Sequence, residues 1–294
     1  MQAARQFPHG LNVGPAAGGR WERAMNDRTE DSEIWNELGG PSDGAATGRD
    51  AVASLSPYDH ETADGAPSWR RLPGLVFATV LSLLAVSLAL CLIYRFVGPV
   101  ETWNMLGRRL GGKPVYHRTV PLSAISPNLV KAVIAAEDSR FCQHNGFDFQ
   151  EIRQAMDEKQ RRGYLRGAST LSQQTAKNVY LWNGGGWVRK GAETWFTVLD
   201  EAIWGKRRTM EHYLNVAEWG DGLYGAEAAA LGRFGVSAKD LSPRQAALLA
   251  AVLPSPNKWR VDPPGPYVGK RAGQIQARMQ LVARDGLADC VLKN

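Results

Sequence analysis

At 294 residues, 44% hydrophobic and 22% charged, the chain is long enough for one large domain or two small ones with a real core. Three Cys are too few for a disulfide-built scaffold. The net charge of +6 is unevenly divided: residues 1–69 hold five Arg and eleven Asp/Glu, net −6, and residues 70–294 hold thirty Lys/Arg and eighteen Asp/Glu, net +12. A basic domain either favours anionic partners (nucleic acid, phosphate groups, an acidic membrane surface) or simply has a solvated, solubilising surface.

Residues 1–69 are rich in Gly, Ala, Ser, Asp and Glu without a sustained period, and read as a disordered acidic tail. Residues 70–95 read as a transmembrane helix. From Leu72 to Tyr94 no residue carries a charge, and a helix of that length covers about 34 Å, enough for a bilayer core of roughly 30 Å. Arg70 and Arg71 flank one end and Arg95 the other, and Trp69 and Tyr94 stand where interfacial aromatics would. The run starts too far from Met1 for a cleaved signal peptide. Flanking Arg nearly balance, so orientation rests on the arrangement of a short polar tail inside and a large domain outside. Residues 96–114 read as a linker, and "GGKPVYHRTVPLSAI" holds the residues for a short strand.

Beyond this the pattern is helical and strand signals are sparse, so the fold class is mainly α. "SPNLVKAVIAAED" offers Ser126 as N-cap and Pro127 at the first helical position, with Val130, Val133 and Ile134 on one face. Glu137 and Asp138 then fall at the C-terminal end of a helix, where the dipole disfavours carboxylates and partial burial raises a carboxyl pKa. "RQAMDEKQRRGYLRGA" is charged and reads as mobile. "STLSQQTAKNVYLW" opens a helix with Ser169 as N-cap. "WVRKGAETWFTVLDEAIWGKRRTMEHYLNVAEWG" reads as a long helix, a break near Gly205 and a second helix. "LSPRQAALLAAVLPSP" repeats the Ser-Pro start at Ser242 and Pro243, and a last helix ends near Gly286. Cys91 lies in the apolar run, leaving Cys142 and Cys290 as the pair able to bond within the domain; independent reduced thiols are the expectation.

Residues suited to chemistry cluster in three places. "EDSRFCQHNGFD" places Glu137, Asp138, Phe141 and His144 within a short stretch. Thr170, Gln174 and Lys177 share a helix face, with Asn178 beside them, and could hold a polar anion; by spacing alone a solvated face is the better reading. Arg189 and Glu193 are i,i+4 neighbours: either a surface ion pair, or a phosphate clamp beside a second carboxylate. Paired carboxylates are the usual apparatus at an anomeric carbon. His144 has no partner at metal-ligand spacing and reads as a hydrogen-bonding residue. "NGGGW" is a turn signal only, without the strand or Lys of a phosphate loop.

"EDSRFCQHNGFD", "GASTLSQQTAKNVYL", "RKGAETWFTVLDEAIWGKRRTMEHYLNVAEWGDGLYGAEAAA" and "AALLAAVLPSPNKW" stand in the order seen in glycosyltransferase family 51, the peptidoglycan glycosyltransferases, and the chain resembles that family from about residue 115 to 284. It is similar to the monofunctional type, since no room follows for a transpeptidase domain. The resemblance implies a lysozyme-like glycosyltransferase domain over residues 115–294, polymerising lipid II at the bacterial cytoplasmic (inner) membrane with the domain on the periplasmic side. It implies Glu137 as general base toward the acceptor's 4-hydroxyl, with inversion and release of undecaprenyl pyrophosphate. Asp138, Phe141 and His144 would shape the cleft. Thr170, Gln174, Lys177 and Arg189 would hold the donor, with Ser169, Gln173, Lys190 and Asn178 beside them. Glu193 would be the second glutamate, supporting the pyrophosphate through water or a divalent cation, Mg or Mn; no metal site of the protein's own is expected. The expected partners are lipid II, the nascent glycan, the membrane and other cell wall synthases or division proteins, with no nucleic acid. Two rival readings stand beside this one: a lysozyme-like lytic enzyme, and a scaffold that binds lipid II without turnover.

Overall fold

The computed structural model describes residues 72–98, 100–163, 167 and 169–293; the acidic tail, Trp69, Arg70 and Arg71 lie outside them. Helix α1 (Leu72–Phe96) is the apolar run, the one helix among the described residues long and apolar enough to cross a membrane. The segment read as a linker contains a helix of its own, α2 (Trp103–Leu110), capped by Thr102, whose hydroxyl accepts from the Met105 amide. The strand read in the next segment is β1 (Tyr116–His117). Then come α3 (Pro127–Glu137), α4 (Phe149–Arg162), α5 (Leu171–Tyr180), α6 (Gly186–Ile203), α7 (Gly205–Val216), β2 (Glu218–Gly220), β3 (Leu223–Tyr224), α8 (Ala226–Phe234), α9 (Pro243–Val252), α10 (Pro266–Arg284) and α11 (Asp289–Leu292). The small sheet runs β1-β3-β2, with β1 parallel and β2 antiparallel to β3. Arg108 ties α2 to it, donating to the Pro114 carbonyl at 2.8 Å and reaching Asp221 in the β2–β3 turn. The domain is the mainly α, lysozyme-like one expected, behind a single apolar helix.

Local chemistry explains most helix ends. Ser126 caps α3, with Pro127 at its first position, and Ser242 caps α9 through a reciprocal pair with Gln245. The expected Ser169 cap falls one residue on: Thr170 accepts from the Gln173 amide, and Gln173 reaches back to the Thr170 amide. The Thr-x-x-Gln spacing makes that box; Ser169 has no such partner three residues later. The charged stretch read as mobile is helical over residues 153–162, because Asp148 caps α4 and Gly163 ends it in the left-handed conformation.

The core sits on α9, whose residues Ala246 to Val252 are all buried. Its alanines let α3 and α10 pack close against it and against each other. A second layer, α5, α6 and α7, carries α1.

The last turns of α1 belong to the domain. Ser87 accepts from Trp195 Nε1 at 3.0 Å, and Trp204 Nε1 donates to the Cys91 carbonyl at 2.8 Å. The Tyr94 carbonyl, one of the unpaired carbonyls of a helix end, accepts from Arg208 at 2.9 Å and His212 Nε2 at 2.7 Å. The Tyr94 ring, expected at the interface, packs between Tyr180 and His212 and is half-buried by the domain. Burial, with Arg208 nearby, pushes the His212 pKa down to about 4, so the ring is neutral at pH 7 and its Nε2–H is the donor.

Cys91 Sγ and the Tyr180 hydroxyl both donate to Oδ1 of the fully buried Asp200, at 3.0 and 2.9 Å, while its Oδ2 has no partner. Burial pushes the Asp200 pKa up to about 7. Its folded value lies above its unfolded one, so stability falls as pH rises from about 4 to 7 and is level above that. Asp200→Asn removes the charge and is expected to raise the melting temperature at pH 8, by the equivalent of roughly 2–4 kcal/mol. The gain should shrink toward zero near pH 4. Thermal melts across that range check it; a constant gap would contradict it.

Candidate active site

Glu137 is the last residue of α3, as the sequence reading placed it. Its Oε2 accepts from Gln174 Nε2 on α5 at 3.1 Å, and its Oε1 lies 3.8 Å from Arg271 on α10. Burial pushes its pKa up, and Asp138 adds to this; the Gln174 hydrogen bond and the Arg271 charge oppose it. The Tyr213 hydroxyl donates to Gln174 Oε1 at 3.3 Å, which orients the amide so that its NH2 faces the carboxylate.

The rest of the first motif holds this corner together from within. Asp138 accepts from His144 Nε2 at 3.0 Å and from the Leu171 amide at 3.0 Å. The second bond satisfies one of the free amides at the start of α5, where the helix dipole favours a carboxylate. Phe141 is fully buried, with Lys206 Nζ 4.5 Å from its ring centre. Thr170 donates to the Gly146 carbonyl at 2.6 Å. Gly146 has φ +87°, and a Cβ there would lie 2.9 Å from Thr197, so glycine is required. Asp138, Phe141, His144, Thr170 and Gln173 are all buried in these contacts.

Cys142 in this loop is bonded to Cys290 in α11, which corrects the expectation of independent thiols. The two lie 148 residues apart, and only the fold brings α11 against the loop.

One turn along α5 from Gln174, the second cluster begins. Arg189 meets Glu193 at 2.8 Å, and Lys190 meets the other Glu193 oxygen while reaching Ser169 at 3.3 Å. Gly184, Gly185 and Gly186 all have positive φ, and the turn brings the Gly184 carbonyl to Arg189 Nε. Lys177 is half-buried and makes no hydrogen bond or ion pair among the described residues. Burial lowers its pKa, as do the Arg189 and Lys190 charges, with Glu193 opposing. Asn178, also half-buried, follows it. Three cations around one carboxylate leave the cluster at +2, a place for an anion.

That donor set could serve a divalent metal only where substrate phosphates supply the other ligands. Both Glu193 oxygens are engaged by cations, and no group of three or more His, Cys, Asp or Glu among the described residues could hold one. Of the expected residues, the structure joins Gln174 to Glu137 and gathers Lys177, Arg189, Lys190, Ser169 and Glu193. Sequence reasoning missed Tyr213 and Arg271. The first is an ordinary aromatic in a helix; the second is one Arg in a charged helix far along the chain, with no spacing that relates it to Glu137.

Residues 104–284 match the family model described as Transglycosylase. The chain is 51% identical over 222 residues to the biosynthetic peptidoglycan transglycosylase of Caulobacter vibrioides, covering 76% of this chain and 97% of that one. It is 55% identical over 217 residues to that of Rhodospirillum centenum, covering 73% and 94%. With that of Pseudomonas aeruginosa it shares 47% over 216 residues, covering 71% and 93%. By these motifs, this fold and these likenesses, the chain belongs to the transglycosylase family.

Proposed function

We propose that the chain is a peptidoglycan glycosyltransferase that polymerises lipid II into glycan strands, with Glu137 as base and the Lys177–Arg189–Lys190 cluster holding the donor's pyrophosphate. The acceptor's sugar 4-hydroxyl gives its proton to Glu137 as its oxygen attacks the donor's anomeric carbon. The bond to the pyrophosphate breaks, the configuration inverts, and undecaprenyl pyrophosphate leaves. Cations preset at the leaving group stabilise the charge that develops there. A carboxylate whose pKa is raised by burial suits proton transfer near neutral pH.

The observation that carries this reading is Lys177. A partly buried ammonium without a partner is unfavourable unless an anion comes to it. The surplus of +2 around Glu193 matches a pyrophosphate esterified at both ends. The lytic reading needs a second carboxylate free to protonate a leaving oxygen. Both Glu193 oxygens are engaged by cations and Asp138 is held by His144, so the geometry disfavours it.

Placement at the inner membrane with the domain in the periplasm draws support from the Cys142–Cys290 bond, since disulfides persist in oxidising compartments. Lipid-linked substrates also suit the outer face of α6, where Trp187, Val188, Trp195 and Val198 are exposed and Trp195 touches α1.

Lys177→Ala and Arg189→Ala are expected to lower kcat/KM for lipid II by roughly 10²-fold with little change in melting temperature. Consumption of labelled lipid II, beside a control with preformed glycan, tests this. Unfolding of both variants would return the residues to a structural role, and shortening of the glycan would favour lysis.

A further inference from the structure

Glu137 is held by two groups of different kinds. Gln174 makes a hydrogen bond to one oxygen, and Tyr213 locks that amide in place. The other oxygen, Oε1, faces Arg271 at 3.8 Å, too long for a hydrogen bond and close enough for strong attraction. Its lone pairs are therefore free to receive a proton. Asp138, the neighbouring acid, is turned to His144 and the start of α5. Arg271 has Glu137 as its ion-pair partner among the described residues, and its buried Nε has no partner. The charged and titratable groups facing Glu137 are thus Arg271 from α10, Tyr213 from α7 and Asp138 beside it, with the neutral Gln174 amide from α5.

Resting on the proposed function, we propose that Arg271 is a positioning residue for the base. Its guanidinium keeps Glu137 ionised with Oε1 turned outward, so that the acceptor's hydroxyl proton passes to Oε1 and the freed oxygen attacks. Without it, the opposition to burial weakens and the carboxyl pKa rises further, so that less of the base is ionised at a given pH; a protonated carboxyl accepts no proton. The effect is opposite in sign to that of burial. An ion pair that merely joined α10 to α3 would also lower the base's pKa by linkage, but its loss would lower the rate through the fold, with no recovery at high pH.

The test compares Arg271→Gln and Arg271→Lys with the wild type in detergent. The acid limb of kcat/KM for lipid II reports the base in the free enzyme. It should move up by roughly 1 pH unit in Arg271→Gln, with the rate recovering at high pH, and stay near the wild-type position in Arg271→Lys. A uniform loss of rate with an unmoved limb overturns the proposal, as does failure of Arg271→Gln to fold. Carbon-13 NMR of side-chain-labelled glutamate, with the Glu137 signal identified by its loss in Glu137→Gln, follows the same titration without turnover. A higher midpoint in Arg271→Gln upholds the coupling of Arg271 to the base that the proposal requires, even if lipid II is not consumed, a result that would count only against the proposed function. An equal midpoint overturns it.

Discussion

Glu137→Gln is expected to abolish polymerisation and leave the fold intact. Gln has the same shape, and its amide oxygen can still accept from Gln174 Nε2, so the contact that fixes the side chain survives. What disappears is the capacity to take a proton, a loss worth roughly 10²–10⁴ in rate. Stability should not suffer. The folded pKa of Glu137 is raised, so its charged form is disfavoured by the fold. Removing the charge makes the melting temperature at neutral pH equal or higher. Gel-resolved product with a parallel thermal melt checks both halves. A lower melting temperature with partial activity would mean that Glu137 is structural.

The second large effect is on stability. The Cys142–Cys290 bond closes a segment of 148 residues, and chain-entropy reasoning assigns such a loop about 5 kcal/mol, with observed losses of 2–5. Converting both to Ser should lower the melting temperature by several degrees or more, and a reductant should lower the wild type to the same value. The loop that carries Cys142 also carries Asp138 and His144, and Arg207 donates to the Val291 carbonyl of α11 at 2.7 Å. Loss of the bond thus loosens one attachment of the active-site corner and leaves another. Melts with and without reductant measure this. An unchanged value in the double variant would mean that other contacts hold α11.

What the sequence revealed was local. Pro127, Pro243 and the Ser before each mark helix starts because capping acts within one turn. Gly205, with φ +72°, marks the break between α6 and α7. Glu137 at a helix end was legible, and so was Arg189 beside Glu193, since i,i+4 geometry depends only on the helix. The same kind of signal was present but passed over for Thr170 with Gln173, and for α4 between Asp148 and Gly163. Illegible were the contacts made by folding alone. Nothing near Cys142 announces Cys290, and nothing near Glu137 announces Tyr213 or Arg271. The role of Tyr94 was hidden for a related reason: an aromatic at the end of an apolar run looks alike whether lipid or protein covers it.

The most direct measurement is incubation of the detergent-solubilised protein with fluorescent lipid II, wild type beside Glu137→Gln, with products resolved on a gel. The expected result is a lysozyme-sensitive ladder from the wild type alone. Intact lipid II recovered from both, or an equal ladder from both, would contradict the assignment of a polymerase that works through Glu137.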